Sequence, residues 1–344
     1  MIAHAREALR AGAFHLSVVV WCGAATIAVG FSPPVHAEWS AIAEQKTSYT
    51  TDAFQFSSAR RLRFSEDPSQ PTVVSTEKPE DVIWEPSLEV RRGVSNGLGK
   101  NELSFKAHGA IFTNNPVFNH GDYRIQDRQW LNDDTSVLLR YRYVPNLFLG
   151  PNFERRTGTR SIQEERLSSH HWRAEVERNL SETVTATLIG RYGLRLFNAA
   201  FAERDTQFYT AGSRLVFRAV SWMTGTLSYS YERGLADGHE ETQFKDDVSY
   251  YLHMVSLEML FRLTPRLDLD LSYVHLRKTF TSGLAGDTHL GRFDQTNQGM
   301  AELRFQVTPA ATALLSFQHG RRISTNSLRD FQDSIVSIGG QYRF

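Results

Sequence analysis

The residues with the most chemical capacity in this chain are arginines and carboxylates at even spacings. Arg140 and Arg142, Arg191 and Arg195, and Arg214 and Arg218 recur in this way, with Arg156 and Arg173 between them and Glu154, Glu175 and Glu177 interspersed. On an extended strand such positions share one face. A second group, Ser228, Ser230, Glu232, Glu258, Asp268, Asp270, Ser272 and Glu302, is acidic and hydroxylated, with Arg304 opposing. A basic wall facing an acidic one would orient water and polar solutes and penalise apolar ones. The same groups can instead pair into a network that stiffens the protein. One local arrangement suggests hydrolysis, Ser168-Ser169-His170-His171. A serine hydrolase needs serine, histidine and an orienting acid to converge. Alternation puts Ser169 and His171 on one face and Ser168 and His170 on the other, with Glu154 near enough in sequence to orient a histidine.

Metal chemistry has weaker support. His253 and His275 have no nearby ligand partner in sequence. The segment Asp237-Gly238-His239-Glu240-Glu241, with Asp246 and Asp247, lacks the ordered ligand spacing of a calcium loop, so a solvated acidic loop is expected. The lone cysteine, Cys22, excludes a redox pair. No cofactor and no metal are expected.

The elements that must position these side chains are strands. After residue 37 no apolar run is long enough for a membrane helix, although 41% of residues are hydrophobic and 12% aromatic. Segments of alternating apolar and polar residues hide that hydrophobicity from a running average, in keeping with the negative mean hydropathy. Strands are predicted at 47–57, 82–94, 102–112, 134–144, 147–156, 167–178, 183–196, 207–219, 223–233, 247–263, 266–279, 293–307, 311–321 and 331–344. Turns such as 144–146, 179–182, 263–266 and 308–310 are short and fall on the side where Phe344 ends. Segments 58–81, 113–133, 157–166, 197–206, 234–246, 280–292 and 322–330 are longer and fall opposite. The expectation is an all-β, antiparallel up-and-down transmembrane barrel of 14 strands, or 12 if the first two, one interrupted by Pro86, stay outside it. At the other end, Arg6 and Arg10, the apolar stretch 11–31 and Val35-His36-Ala37 read as a signal peptide, residues 1–37. Residues 38–46 then form a short periplasmic segment and 47–344 the barrel. Without residues 1–37 the chain carries 36 Lys and Arg against 37 Asp and Glu, which argues against a nucleic-acid partner.

The final strand is the most specific feature. Val336, Ile338, Gly340, Tyr342 and Phe344 alternate with Ser337, Gly339, Gln341 and Arg343. This resembles the closing strand of Gram-negative outer-membrane β-barrels of the porin-like kind. The resemblance implies that Ser337, Gly339, Tyr342 and Phe344 form the signal read by the barrel-assembly machinery, and that the protein sits in the bacterial outer membrane among lipid and lipopolysaccharide after export to the periplasm. It leaves oligomeric state open. In such a barrel the even-spaced charges face the lumen, and Ser168 to His171 sit at the lipid head-group rim. The expected function is passive passage of small polar or charged solutes, without enzymatic activity. The alternative is the barrel component of a polysaccharide-export or envelope assembly, with 58–81 as plug or docking element; a lipid-modifying enzyme is the weakest reading. Asn114, Asn115, Asn119, His120, Asp122, Tyr123, Arg124, Asp127, Arg128 and Trp130 in segment 113–133 also suit an oligosaccharide.

Overall fold

The computed structural model describes residues 35–52, 80–96, 99–158, 161–326 and 330–344. Residues 1–34 of the signal-peptide reading and 58–79 of the plug candidate lie outside them. Fourteen antiparallel strands close into one barrel in sequence order, with the first paired to the last. They are β1 (Val35–Thr50), β2 (Asp81–Asn96), β3 (Gly99–Phe112), β4 (His120–Trp130), β5 (Thr135–Phe153), β6 (Ile162–Asn179), β7 (Val184–Phe197), β8 (Thr206–Val220), β9 (Met223–Ala236), β10 (Tyr250–Thr264), β11 (Leu267–Phe280), β12 (Phe293–Gln306), β13 (Ala311–Ser324) and β14 (Phe331–Arg343). A 3-10 turn, Pro116–Phe118, follows β3, and a 3-10 segment kinked at Phe201, Ala199–Arg204, follows β7.

The expected count of 14 is met by a different set of strands. Segment 113–133, expected as a long loop, contains β4. Val144-Pro145-Asn146, expected as a turn, lies inside β5, where the pairing with β6 shifts between Val144 and Leu147 and again between Phe148 and Gly150. A bulge leaves a residue out of the ladder, so it accommodates a proline that has no N–H to give. Asn146 takes the left-handed conformation there, φ 47°, which asparagine tolerates better than most residues. Residues 38–46, expected as a periplasmic segment, belong to β1 and pair with β2 along their length. Pro86 does not end β2. Its pairing with β3 lapses between Trp84 and Ser87 while β1 stays paired on the other side.

The two faces of the wall differ as alternation requires. Leu139, Leu188, Leu227, Tyr229, Val255, Leu257, Tyr273, Leu315, Phe317, Val336 and Ile338 are exposed on the outside. The intervening Ser136, Thr187, Ser230, Ser256, Glu302 and Ser337 are buried inside. A band of exposed aliphatic and aromatic side chains around a closed barrel needs an apolar medium against it, and a barrel is one of two folds that satisfy every backbone group there. The band therefore faces lipid. Leu257 sits in it between Leu227 and Tyr273 on the neighbouring strands. Leu257→Arg is expected to destabilise the barrel by about 2–4 kcal/mol, read as a lowered urea midpoint in lipid vesicles, whereas Ser256→Thr on the inner face leaves the midpoint nearly unchanged.

Candidate functional site

The barrel has an end of short turns and an end of longer loops, and its interior changes character between them. Towards the turn end the inner face is charged and partly solvated. Arg304 meets Asp270 at 2.9 Å and Glu302 at 2.8 Å, and Lys46 of β1 also reaches Glu302 at 2.8 Å. Arg214 contacts Glu175 at 2.9 Å and Glu177 at 3.4 Å. Arg128 joins Glu177 at 3.0 Å. Arg218 donates to Thr185 Oγ1 at 2.9 Å, and Arg140 to Gln126 Oε1 at 2.9 Å. Glu258 and Asp268 occupy the same inner face of β10 and β11.

Midway, the pairs are drier. Arg173 bonds Glu175 at 2.6 Å, and Arg142 bonds Asp122 at 2.6 Å. Glu232, 0% exposed, lies 3.6 Å from Arg191 and 3.9 Å from Arg195. It accepts hydrogen bonds from Thr210 Oγ1 at 2.6 Å and from the Tyr250 hydroxyl at 2.7 Å, and that hydroxyl accepts from Arg195 at 2.8 Å. Tyr250 can lie flat on the wall because its cross-strand partner is Gly234; a Cβ there would meet the ring at 2.2 Å. Of the expected basic wall, Arg142, Arg191, Arg195 and Arg214 are thus set against carboxylates one or two strands away and Arg173 against one on its own strand, which weakens any field across the lumen. Two residues assigned to the lining are elsewhere. Arg156 lies beyond the end of β5, 4.0 Å from Glu203 and stacked on Phe244. Glu154 is also outside the strand and accepts from the Thr157 N–H and hydroxyl, both at 2.6 Å.

Towards the loop end the interior becomes apolar. Ile335, Ile83, Ala110 and Phe112 form a crescent with Phe118, Val144, Leu147, Leu149, Leu167, Phe197 and Phe201. Tyr250, Leu252, Met254, Leu276 and Phe280 make a second cluster on β10 and β11. Above them the loops are tied together. Arg204, in the loop after β7, bonds Glu165 of β6 at 2.7 Å and Asp246 of the β9–β10 loop at 2.6 Å. Arg155 donates to the Lys245 carbonyl, and the Asp247 N–H donates to Asp287 Oδ2 at 2.8 Å. Burial alone would lower the pKa of Arg204, but its two carboxylate partners hold it above the ordinary value. Burial raises that of Glu203, and the nearby Asp246 charge raises it further. Asp246 and Asp247, expected in a solvated loop, are buried, because the loop packs against its neighbours.

The serine and histidine pairs are not rim residues as a set. Ser169 and His171 are buried on the inner face, Oγ to Nε2 2.6 Å. His170 faces outward, bonded to the Tyr141 hydroxyl at 2.8 Å and stacked on Tyr143. Glu154 turns to Thr157 instead of a histidine. His253 and His275 bond Tyr229 and Asn297. Sequence reading took Asp122 and Arg128 for residues of a long loop suited to an oligosaccharide, whereas they line the inner face of β4, and it put Lys46 in a periplasmic segment just before the first strand, whereas it lies within β1. Arg204 carried no signal, being one arginine in the longer segment 197–206.

No protein-family model and no curated protein matches the sequence. Among solved structures, the chain is similar to the outer-membrane channel DcaP of Acinetobacter baumannii at 11% identity and a TM-score of 0.51, over 92% of this chain and 99% of that one. The chain has the fold of a porin-like outer-membrane β-barrel. An anion-selective porin from Comamonas acidovorans matches at 7% identity and a TM-score of 0.49, over 90% of this chain and 99% of that one. A bacterial polysaccharide outer-membrane secretin matches at 10% and 0.47, over 88% and 98%.

Glu232 is the shared partner of two arginines and two hydroxyls. Glu232→Ala removes the buried carboxylate that Arg191 and Arg195 share and is expected to cost about 3–5 kcal/mol, measured by urea unfolding in detergent, with Glu232→Gln losing less because the amide still accepts from Thr210 or Tyr250.

Proposed function

We propose that the chain is a bacterial outer-membrane channel for passive passage of small polar or charged solutes, with its turn end in the periplasm and its loops outside. The observation that carries this reading is the inner face: charged pairs open to solvent at one end, with Arg304 42% exposed on its side chain, inside a barrel whose outer face is apolar. Water-filled lumens need such a polar lining. The side chains of the middle tier narrow the passage, and the apolar crescent and tied loops close the outer mouth. A constriction lined by apolar groups excludes water and ions until it widens. The barrel therefore conducts when the loops part. Ser337, Gly339, Tyr342 and Phe344 serve as the assembly signal; Tyr342 and Phe344 lie exposed with ring centroids 4.8 Å apart. Lipopolysaccharide surrounds the loop end.

The test is single-channel conductance in a planar bilayer. The wild-type barrel is expected to show brief, small openings. Arg204→Ala, which cuts the β6 and β9–β10 ties together, is expected to lengthen the openings and raise the mean current. Two folded barrels that both stay silent under voltage would remove the channel reading.

A further inference from the structure

The loops that close the mouth hold a group of donors that the channel does not use. Asp246 in the β9–β10 loop and Asp287 and His289 in the β11–β12 loop are all buried, and one donor atom from each lies within 4.8 Å of the other two. We propose that these three residues form a binding site for a divalent transition ion of the zinc class, which ties the two loops together.

The geometry fits such an ion. Metal–nitrogen and metal–oxygen bonds of about 2.0–2.1 Å put neighbouring ligands of a tetrahedral ion about 3.4 Å apart. His289 Nδ1 lies 3.7 Å from Asp246 Oδ1 and 2.9 Å from Asp287 Oδ1. Small side-chain shifts suffice to close a shell around a metal.

One donor is waiting for a partner. Asp246 is 1% exposed, and among the described residues its Oδ1 makes no hydrogen bond, while Oδ2 is taken by Arg204 at 2.6 Å. A carboxylate oxygen left bare in a dry site loses its hydration without replacement. A cation placed between Asp246, Asp287 and His289 supplies that replacement. Glu203 adds to the demand. Among the described residues neither of its buried oxygens makes a hydrogen bond, although Arg156 lies 4.0 Å away, and the Asp246 charge raises its pKa. Counting Asp247, whose Oδ2 lies 2.8 Å from His239 Nδ1, four carboxylates gather here, and Arg204, the partner of Asp246, is shared with Glu165.

The donors are also held from behind, as metal ligands are. Asp287 Oδ2 accepts from Ser282 Oγ at 2.6 Å and from the Asp247 N–H at 2.8 Å, and Asp287 Oδ1 accepts from the His289 N–H at 2.9 Å. An imidazole among the ligands favours zinc and its neighbours over calcium or magnesium, which take oxygen alone. Three protein donors leave a coordination position for water.

The experiment uses the tag-free full chain refolded in detergent, stripped with a chelator and titrated with zinc chloride by calorimetry. One zinc per chain is expected, with calcium chloride giving no comparable heat. Asp246→Asn and His289→Ala are each expected to weaken zinc at least about tenfold, and the heat-dependent gel mobility of the folded barrel checks that each variant folds. Zinc should also slow hydrogen exchange in segments 237–249 and 281–292. A folded wild-type barrel that takes up no zinc, folded variants that bind it undiminished, or calcium binding tighter than zinc would each overturn the assignment. None of these readouts requires the barrel to conduct.

Discussion

The closure of β1 on β14 is the constraint on which the rest depends. In hydrocarbon no water is present to satisfy an open sheet edge, so each backbone group of the wall needs a neighbour. The seam runs from Ile42 opposite Arg343 to Thr50 opposite Ile335. It is extended at the ends by Phe344 N–H to the Ala41 carbonyl and Thr51 N–H to the Ser334 carbonyl. An antiparallel meander closes antiparallel only with an even number of strands, which brings the start of β1 and the end of β14 to the turn side. Closure also fixes the inside, since a strand in register commits every second side chain to the lumen. The seam itself shows this: Ser48 Oγ lies 2.8 Å from Ser337 Oγ across it.

Much of the wall was legible because the outer face is so consistently apolar. β8 to β11, β13 and β14 read cleanly, since large apolar residues such as Leu, Tyr, Phe, Val and Ile recur along their outer face, and β12 carries them only at Phe293, Leu303 and Phe305. β4 did not. In His120-Gly-Asp-Tyr-Arg-Ile-Gln-Asp-Arg-Gln-Trp the outward positions hold only Tyr123 and Ile125 between polar neighbours, so the strand resembles a solvated loop. β5 failed in the opposite sense, because Pro145 and Asn146 are strong turn residues and a bulge uses the same ones. One strand was missed and one was divided, so the total came out at 14 with the wrong members. β1 was placed late because Glu38 to Lys46 mixes small and charged residues with few large apolar ones.

Parity assigned residues to faces but could not report pairing. Whether Arg191 and Arg195 form a bare basic wall or neutralise Glu232 depends on side chains reaching over β8, which no spacing in a single strand encodes. Asp122 was the clearest loss: with β4 read as a loop, Arg142 lacked its partner. The mouth was the least legible part. Arg204, Asp246, Asp287 and His289 come from three loops, and their meeting is set by how the loops pack, a long-range matter that local pattern does not carry.

The ties of Arg204 have a consequence for how this surface can change over generations. Loops at a cell surface ordinarily vary one by one, each free to lengthen or swap residues without regard to the others. Here a single guanidinium answers to Glu165 on one hairpin and Asp246 on another, and Asp247 and Asp287 join a third loop to them. A change of length in any of these displaces a buried charge from its partner. Variation should therefore arrive in matched sets across the loops from β5 to β12.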